Sequence, residues 1–539
     1  MLVRLHTTQP VSLSHVAVTL EVNISKGIRL HLLGNTHSSL RESKQRVYTV
    51  LKRNKWHWPG QRTTLNFLPL DFQKIGGHYD LPMALGILCA SQQLPVHRLG
   101  QYIILGQLGL DGSISPSQDM YNALVLAKQT NKKGVVTNFS RATYHHLRRL
   151  FPEMELCQVS TLYEATAFFA NGTLPSIIPP LAVNSEDKTL IKGSCFSDVS
   201  GQQPLKKALE IAAAGGHHLM MIGPPGVGKT MLASRLGSIL PPINPFQTHP
   251  IRAMFSSNEE HECIAALSGI RRVELIDRNL TKRELFGSMS NEHIKAWLME
   301  EDDHRKSEYP TGQLSKKVGV FYRSSGGVLF LDEFSSYPIK VVDQLLQQMD
   351  HHLVQVILAM NPCPCGNFNH PQKACRCSAS ALNNYQKKLT AACKDRLDMT
   401  IYTQYELWTD ELQEASSEIK SRVNRAWKSQ MERQGRQNAQ LSTAALEGVC
   451  RMKKSSWRYF HQECAGQKLS IRAQQSLLAL SRTLADLKGD KSVNNSHIKS
   501  ALGLRLNDRS SMSPLEEARE TNSEQRIKVN LGGGIELNA

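Results

Sequence analysis

The chain has 539 residues and a net charge of +17, and 40% of its residues are hydrophobic, which is ordinary for a globular protein. This length exceeds what one hydrophobic core supports and predicts two to four domains. No apolar run approaches the ~18 residues of a membrane span. The excess of positive charge favours a polyanionic partner, although composition alone does not separate nucleic-acid binding from solubility.

The first ten residues, Met1 to Pro10, are polar and charged and contain no apolar export signal. Eleven cysteines are too few for a disulfide scaffold in a chain of this length. The sequence therefore predicts a soluble, cytoplasmic, multidomain protein with no membrane segment and with reduced cysteines.

Three shifts in composition divide the chain. The N-terminal part alternates helical stretches with short apolar runs, namely Val16 to Val22, Thr63 to Leu68 and Tyr102 to Leu105. A stretch rich in Pro, Gly and Ser then indicates a linker. The predicted segments are an N-terminal α+β domain (1–172), a linker (173–195), an α/β core with a parallel sheet (196–401), a helical domain (402–509) and a flexible tail (510–539).

A phosphate-binding loop follows the apolar strand Leu219 to Ile222 and opens a helix predicted from Met231 to Leu240. Its sequence matches GxxxxGK[ST], and this context disfavours a chance glycine-rich turn. The glycines let backbone N–H groups surround phosphates at the positive end of a helix. Lys229 would neutralise phosphate charge and Thr230 would ligate Mg²⁺, so ATP and Mg²⁺ are the predicted cofactors. The predicted binding residues are Gly223, Pro224, Pro225, Gly226, Val227, Gly228, Lys229 and Thr230.

An apolar strand that begins at Gly326 ends in two carboxylates, Asp332 and Glu333. An acidic strand end is usually a cap or a salt bridge, but at about 100 residues after a phosphate-binding loop it indicates a catalytic role. Asp332 would hold Mg²⁺ and Glu333 would polarise the attacking water. A further strand, Val354 to Met360, ends at Asn361, which would orient that water.

These motifs, together with others from about residue 10 to residue 510, resemble the ComM/YifB family of magnesium-chelatase-like AAA+ ATPases. The segments that carry the resemblance are Gln73–Ile87, Leu105–Gly112, Ala208–His217, Gly223–Thr230, Gly326–Glu333, Ala359–Gly366, Leu469–Ala473 and Arg482–Leu487. The resemblance implies a Lon-like N-terminal domain, an AAA+ core with a helical lid, and a hexameric ring. The ComM branch is a DNA branch-migration helicase of natural transformation, which implies single-stranded or branched DNA as the partner.

The resemblance also implies roles for two arginines. Arg396, in a segment similar to the family's DRID motif, is the candidate arginine finger for ATP in the neighbouring subunit. Arg472 would be the sensor arginine of the lid, since it follows the candidate N-cap Ser470 at the start of an amphipathic helix. The alternative for each is a surface arginine in an ion pair.

The Lon-like domain is predicted to be inactive as a protease. His78 stands where Lon proteases carry the nucleophilic serine, and no lysine occurs between Ser117 and Ala127, where its partner is expected. A structural or assembly role, with or without DNA contacts, is the remaining interpretation.

Two CxC pairs form a candidate zinc site. Cys363 and Cys365 are separated by nine residues from Cys375 and Cys377, and four thiolates can close a tetrahedral site. The alternatives are four reduced cysteines in a family loop, or a DNA-facing loop that includes Arg376.

The sequence departs from the family in two places. The segment from Ile251 to Arg323 lacks the family's Arg-Pro-Phe-Arg-Ala-Pro-His-His stretch, and Glu333 lies only 28 positions before Asn361, which leaves no room for the usual β-hairpin insertion. Nucleotide binding is therefore expected to survive, while translocation on DNA is left open.

Three functions remain. An ATP-driven DNA motor leads, because basic residues follow the core with two tryptophans among them that could stack on bases. These basic residues are Lys387, Lys388, Arg422, Arg425, Lys428, Arg433, Arg436, Lys453, Lys454 and Arg458, and the tryptophans are Trp427 and Trp457. A solvated helical face with core tryptophans explains the same pattern. The other functions are a chelatase-type ATPase that remodels a protein partner, and a degenerate nucleotide-binding family member without translocation.

Overall fold

The structure, a computed structural model, describes residues 1–11, 14–96, 98–117, 120–172, 195–243, 269–276, 280–287, 319–368, 373–386, 390–405 and 413–506. Its described residues through 172 form one compact unit, and residues 195–243 and those from 271 onward form a second. The division falls within the predicted linker. The predicted tail and the pair Lys387–Lys388 lie outside the described residues.

The first unit contains a seven-stranded mixed sheet. Its strands are β1 (Leu2–Val11), β2 (Ser14–Ser25), β3 (Leu30–Leu33), β4 (Arg62–Leu68), β5 (Tyr102–Ile104), β6 (Gly134–Thr137) and β7 (Glu155–Gln158). They lie in the order β3-β4-β2-β1-β5-β6-β7. Strand β2 pairs antiparallel with β1 and β4, and the remaining neighbours pair in parallel.

Five helices accompany this sheet: α1 (Ser39–Arg53), α2 (Asp80–Ala90), α3 (Met120–Gln129), α4 (Arg141–Leu150) and α5 (Leu162–Asn171). All residues of α2 are buried, and a Cβ at Gly86 would lie 2.6 Å from Val22 Cγ2. The absent side chain therefore lets this helix pack directly on the sheet. In β4 buried residues alternate with more exposed ones, as expected for a strand with one covered face.

The second unit contains a five-stranded sheet in which all neighbouring strands are parallel. Its strands are β8 (Leu219–Ile222), β9 (Val273–Ile276), β10 (Val328–Leu331), β11 (Gln355–Met360) and β12 (Met399–Tyr402), in the order β12-β8-β11-β10-β9. The three central strands are buried along their whole length, which explains why all their residues except Gln355 are apolar. Because β11 lies between β8 and β10, the residues after these three strands meet at one edge of the sheet.

The core helices of this unit are α6 (Gln203–Gly215), α7 (Lys229–Arg235), α8 (Lys282–Phe286), α9 (Val320–Arg323), α10 (Ile339–Met349), α11 (Ala379–Gln386) and α12 (Ala391–Arg396). The C-terminal helical region follows with α13 (Ser416–Gln434), α14 (Thr443–Cys450), α15 (Lys454–Gly466), α16 (Ile471–Lys488) and α17 (Asn495–Leu506). None of the described helices is long and apolar enough to cross a membrane.

The central helix of the C-terminal region begins where the sequence predicts. The Ser470 hydroxyl accepts a hydrogen bond from the backbone N–H of Ala473 at 3.1 Å, as an N-cap does. Further along α16, the fully buried Arg482 is paired with Asp486 at 2.8 Å, and Arg433 of α13 reaches the same carboxylate. These charges are buried as a paired group, which offsets their desolvation.

The predicted α/β fold class, with a parallel core sheet and a helical C-terminal region, is confirmed, as are the strands predicted in both units. Two local predictions were wrong. The helix after the phosphate-binding loop ends at Arg235 and continues as a 3₁₀ turn, Leu236–Ser238, because Pro241 and Pro242 follow closely. The helical spacing of apolar residues after Glu333 predicts one apolar face, formed by Ile339, Val342, Leu345, Leu346 and Met349. Ile339 is nevertheless 64% exposed, since it lies in the first turn of α10, before the helix reaches the core.

Candidate nucleotide-binding site

The phosphate-binding loop connects β8 to α7 through backbone conformations that require glycine. Gly226 and Gly228 have φ angles of 84° and 89°, in the left-handed region that L-residues rarely adopt. A Cβ at Gly223 would lie 1.9 Å from Thr403 Oγ1, so a side chain there would displace the end of β12. The loop is therefore shaped by sterics to present its backbone N–H groups at the start of α7.

Lys229 is buried and folds back onto its own loop. Its ammonium donates to the carbonyl oxygens of Gly223 at 2.7 Å and Pro224 at 2.9 Å, and lies 3.4 Å from Asn361 Oδ1. Burial lowers the pKa of Lys229, and the Asp332 carboxylate opposes this shift. Phosphate oxygens could replace the two carbonyls as acceptors, which would also supply the missing negative charge.

The hydroxyl of Thr230 donates directly to Asp332 Oδ2. The other oxygen of Asp332 accepts the backbone N–H of Glu333 at 2.8 Å, which fixes the carboxylate at the end of β10. Glu333 has a left-handed φ of 48° and an exposed side chain. Such backbone strain in a non-glycine residue is typical of functional positions. Thr230 and Asp332 thus lie where they could share one hard cation through oxygen ligands.

Asn361, at the end of β11, is held by a tyrosine that the sequence did not indicate. The Tyr385 hydroxyl donates to the backbone carbonyl of Asn361 at 2.9 Å and accepts from Ser335 Oγ at 2.9 Å. This chain links the end of β11 to the turn that follows Glu333. No motif predicts it, because α11 enters the site only through the tertiary fold.

The four clustered cysteines follow directly on Asn361. The Sγ–Sγ distances are 3.4 Å for Cys363–Cys365, 3.6 Å for Cys365–Cys375 and 3.7 Å for Cys363–Cys375. The Sγ atoms of these three cysteines and of Cys377 all lie within 4.8 Å of one another. The edge of a tetrahedron with Zn–S bonds of ~2.3 Å is about 3.8 Å, so the thiols fit a zinc ion.

The cysteine loop packs on the phosphate-binding loop. A Cβ at Gly366 would lie 2.7 Å from Pro225 Cδ, so the two loops approach as closely as a glycine permits. The hydroxyl of Tyr405 donates to the Pro225 carbonyl from the other side. The cysteine loop therefore forms part of the support of the phosphate-binding loop.

Arg396 and Arg472 both contact Asp350 and lie away from the phosphate-binding loop of this chain. Arg396 contacts Asp350 through Nε at 3.0 Å and Nη2 at 3.2 Å, and Arg472 Nη2 lies 3.2 Å from the same carboxylate. Arg396 precedes β12, whereas the phosphate-binding loop follows the parallel neighbour β8. The arginines therefore lie at the amino-terminal edge of the sheet, across at least ~10 Å of strand from the loop.

A buried polar network lies behind the arginines at the same edge. Asp398 accepts the backbone N–H of His218 at 2.9 Å and the hydroxyl of Ser476, and lies 3.4 Å from His217 Nδ1. Burial would raise the pKa of Asp398, but the hydrogen bonds and charges of His217 and its neighbours outweigh it and hold the pKa well below its usual value. This network links β8, β12 and α16.

In the first unit, His78 lies in the turn before α2 and its Nε2 is 3.0 Å from the Thr8 carbonyl. The nearby Lys74 is fully buried, and its ammonium contacts the carbonyls of Phe72, at 3.0 Å, and Pro69. Within the described residues this turn therefore holds no serine–lysine pair.

Several of the basic residues assigned to DNA have partners inside the fold. Arg422 is paired with Glu210 at 2.6 Å and with Glu414, and Arg433 is paired with Asp486. Trp457 packs against the C-terminal core with its ring 5.7 Å from that of Phe460. These three residues are therefore structural, whereas other basic residues are exposed at the surface, namely Arg425, Lys428, Lys453, Lys454 and Arg458.

The described segment between Glu333 and Asn361 contains no β-hairpin insertion. Residues 333–361 are all described, and α10 runs through a short turn at 350–354 directly into β11. The segment without the family's basic stretch lies mostly outside the described residues, apart from 269–276, 280–287 and 319–323.

Three family models match the chain along most of its length. The model described as subunit ChlI of Mg-chelatase matches residues 20–140. The model of magnesium chelatase, subunit ChlI, matches residues 195–294 and 351–410, and the C-terminal model of that subunit matches residues 413–505. The matches cover both described units.

Curated relatives match nearly end to end. Competence protein ComM of Haemophilus influenzae is 30% identical over 519 residues, which are 90% of this chain and 94% of that protein. The uncharacterized protein YifB of Escherichia coli is 28% identical over 94% of this chain and 97% of its own length. An uncharacterized protein of Mycobacterium tuberculosis is 29% identical over 90% and 95%, respectively. With this coverage and the nucleotide-site geometry, the chain belongs to the ComM/YifB family of magnesium-chelatase-like AAA+ ATPases.

Proposed function

We propose that the chain is an ATP-hydrolysing motor that remodels single-stranded or branched DNA in the cytoplasm. The observation that carries the proposal is the contact between Thr230, in the first turn of α7, and Asp332, which follows β10. This pairing supports a site for the Mg²⁺ complex of ATP, which the family also implies.

In the proposed reaction, backbone N–H groups of residues 226–230 bind the β- and γ-phosphates. Lys229 exchanges its two loop carbonyls for phosphate oxygens. Thr230 and Asp332 would hold Mg²⁺, which would supply positive charge to the phosphates. Glu333 accepts the proton of the attacking water while Asn361 orients that water, and the water oxygen attacks the γ-phosphorus in line with the departing ADP oxygen.

Arg396 and Arg472 complete this site from a neighbouring subunit. Their position at the opposite edge of the sheet supports action on the neighbour's ATP, because they lie away from the phosphate-binding loop of their own chain. A guanidinium supplied in this way stabilises the charge of the transition state. The requirement for a second copy supports the hexameric ring that the family implies.

DNA is proposed as the partner for two reasons. The related Haemophilus influenzae protein is named as a competence protein. The net charge of +17 and the exposed basic residues of α13 and α15 suit a polyanion that is bound through its phosphates. The first unit then acts as a Lon-like assembly domain without proteolysis. The four cysteine thiolates hold Zn²⁺ as a structural ion in the loop beside the nucleotide.

A second candidate is a nucleotide-binding family member that does not translocate, or that remodels a protein partner as a chelatase-type ATPase does. The direct passage from α10 into β11, without a hairpin, favours the first of these variants.

A strand-displacement assay separates these functions. Wild-type protein with ATP and Mg²⁺ should convert a labelled three- or four-stranded junction into its product duplexes, and Lys229→Ala should lose this activity. An exposed-lysine variant, Lys488→Ala, serves as the control. If the wild-type protein hydrolyses ATP but converts none of the junction, the result would support the protein-remodelling alternative and would refute the DNA motor.

A further inference from the structure

Asp350 is the point at which two arginines from distant parts of the chain meet. Arg396 ends α12, and Arg472 begins α16 in the helical region, 76 positions later. Arg396 binds both carboxylate oxygens of Asp350, and Arg472 shares one of them at 3.2 Å. The Asp350 carboxylate thus fixes the positions of both guanidinium groups relative to each other.

The two arginines differ in how fully they are engaged. Arg396 also donates through Nη1 to the carbonyl of Ala392 at 3.3 Å, and its side chain is 19% exposed. The side chain of Arg472 is 45% exposed and contacts Asp350 through a single nitrogen. The bidentate contact orients the plane of Arg396, whereas a single contact constrains the orientation of Arg472 less.

Removing the carboxylate would take away the acceptor that the two guanidinium groups share. Their like charges repel, so both side chains would leave their present positions. A cavity of about 140 Å³ is lined by Asp350, Arg396 and Arg472 together with Asp395 and Asp398. Because three carboxylates and two guanidinium groups line it, this cavity does not favour an anion within its own subunit.

Asp350 is also mechanically connected to the nucleotide site of its own subunit. It follows α10, which begins six positions after Glu333 and spans 11 residues, or ~16 Å. Because no hairpin separates α10 from β11, a shift of the turn after Asp332 can be transmitted through this rigid helix to Asp350.

We propose that Asp350 is a positioning residue that sets Arg396 and Arg472 for the ATP of the neighbouring subunit. It acts through the arginines and does not touch the nucleotide. This inference rests on the proposed function, since it requires hydrolysis at a site shared between subunits.

Steady-state ATP hydrolysis by the full chain tests the inference. Asp350→Asn should lower kcat by roughly tenfold and leave KM within about twofold, because the phosphate-binding loop that sets binding is intact. Asp350→Glu should recover part of kcat, since it restores the charge at a slightly different distance. Asp343→Asn, on the exposed face of the same helix, is the matched control and should behave as wild type.

Subunit mixing gives a readout that a purely structural role would not move. Wild-type protein is titrated with Lys229→Ala or with the double variant Lys229→Ala/Asp350→Asn. Neither added subunit hydrolyses its own ATP, so stronger inhibition by the double variant reports on the neighbour's site. Equal inhibition by the two, or an unchanged or higher kcat for Asp350→Asn, would overturn the role of Asp350.

Arg396→Ala distinguishes failure of this inference from failure of the proposed function. If Arg396→Ala is slow while Asp350→Asn matches wild type, only the role of Asp350 is overturned. If Arg396→Ala hydrolyses ATP as fast as wild type, the shared site fails, and the inference fails with it. Should Asp350→Asn lose its cooperative unfolding transition, Asp350→Glu decides, with an intermediate kcat expected and a wild-type kcat contradicting the role.

Discussion

At the scale of single residues, Asp398 shows how a buried charge can be stabilised by its surroundings. Its carboxylate is buried at the amino-terminal edge of the core sheet, where it meets the backbone of His218, the His217 ring and the Ser476 hydroxyl. Arg505 also reaches the backbone around it, with Nη1 2.7 Å from the Leu397 carbonyl. The carboxylate therefore ties three separate segments of the second unit together.

Replacing this carboxylate should destabilise the protein in a pH-dependent way. Asp398→Asn removes a buried charge from its partners and should lower the free energy of unfolding by about 3 kcal/mol near pH 7. Because the folded-state pKa of Asp398 lies below its unfolded value, its stabilisation is complete above about pH 4 and is lost as the pH falls further.

Urea unfolding of wild type and Asp398→Asn across this range measures the effect. The difference between the two proteins should narrow as the pH falls below about 4. A difference that stays constant from pH 7 to pH 3 would show that ionisation of Asp398 does not stabilise the fold.

At the scale of elements, the end of β11 carries two features that the sequence shows as separate motifs. Asn361 lies at the nucleotide site, and Cys363, two positions later, begins the cysteine cluster. The same loop reaches Pro225 through Gly366. A metal that fixes this loop would therefore also fix Asn361 and the phosphate-binding loop.

The purified chain should contain about one zinc ion, and Cys375→Ser should lose it. The variant should also bind a fluorescent ATP analogue at least about fivefold more weakly, because the support of the phosphate-binding loop is loosened. Cys195→Ser, at a thiol outside the cluster, is the control and should retain both metal and affinity.

Elemental analysis and a binding titration test this prediction together. A zinc-free wild-type protein from zinc-supplemented cells would contradict the metal site. Loss of zinc without loss of nucleotide affinity would contradict its connection to the phosphate-binding loop.

The parts of the site that follow strands could be predicted from the sequence, and the parts that depend on distant helices could not. Lys229, Asp332 and Asn361 each follow an apolar strand, and carboxyl ends of parallel strands meet at one edge. Tyr385 and Asp350 have no such signature. Their contacts depend on where α11, α12 and α16 pack, which local sequence patterns do not determine.

The same distinction holds for side chains on helices. The periodicity of α10 predicts its buried residues Val342, Leu345, Leu346 and Met349 correctly. It does not reveal that Ile339 is exposed, because the first turn extends past the core. Likewise, charge alone does not show that Arg422 and Arg433 have acidic partners within the fold.

At the scale of the whole molecule, one chain carries a nucleotide site at one edge of its core sheet and an arginine pair at the other. If the arginines act on the ATP of a neighbour, as proposed, a complete active site needs a second copy, and a ring of like subunits would complete every site. In the proposed function, the exposed basic residues of the helical region would contact the phosphates of DNA. The central claim is that a nucleotide site built in this way drives work on DNA.

Steady-state ATP hydrolysis by the purified full chain, with and without single-stranded and branched DNA, tests that claim most directly. Wild type should hydrolyse ATP in the presence of Mg²⁺, and DNA should raise kcat several-fold. Lys229→Ala should reduce both rates by at least about 100-fold, since it removes the charge that faces the phosphates. Hydrolysis that Lys229→Ala abolishes but that neither DNA alters would contradict a DNA-driven cycle.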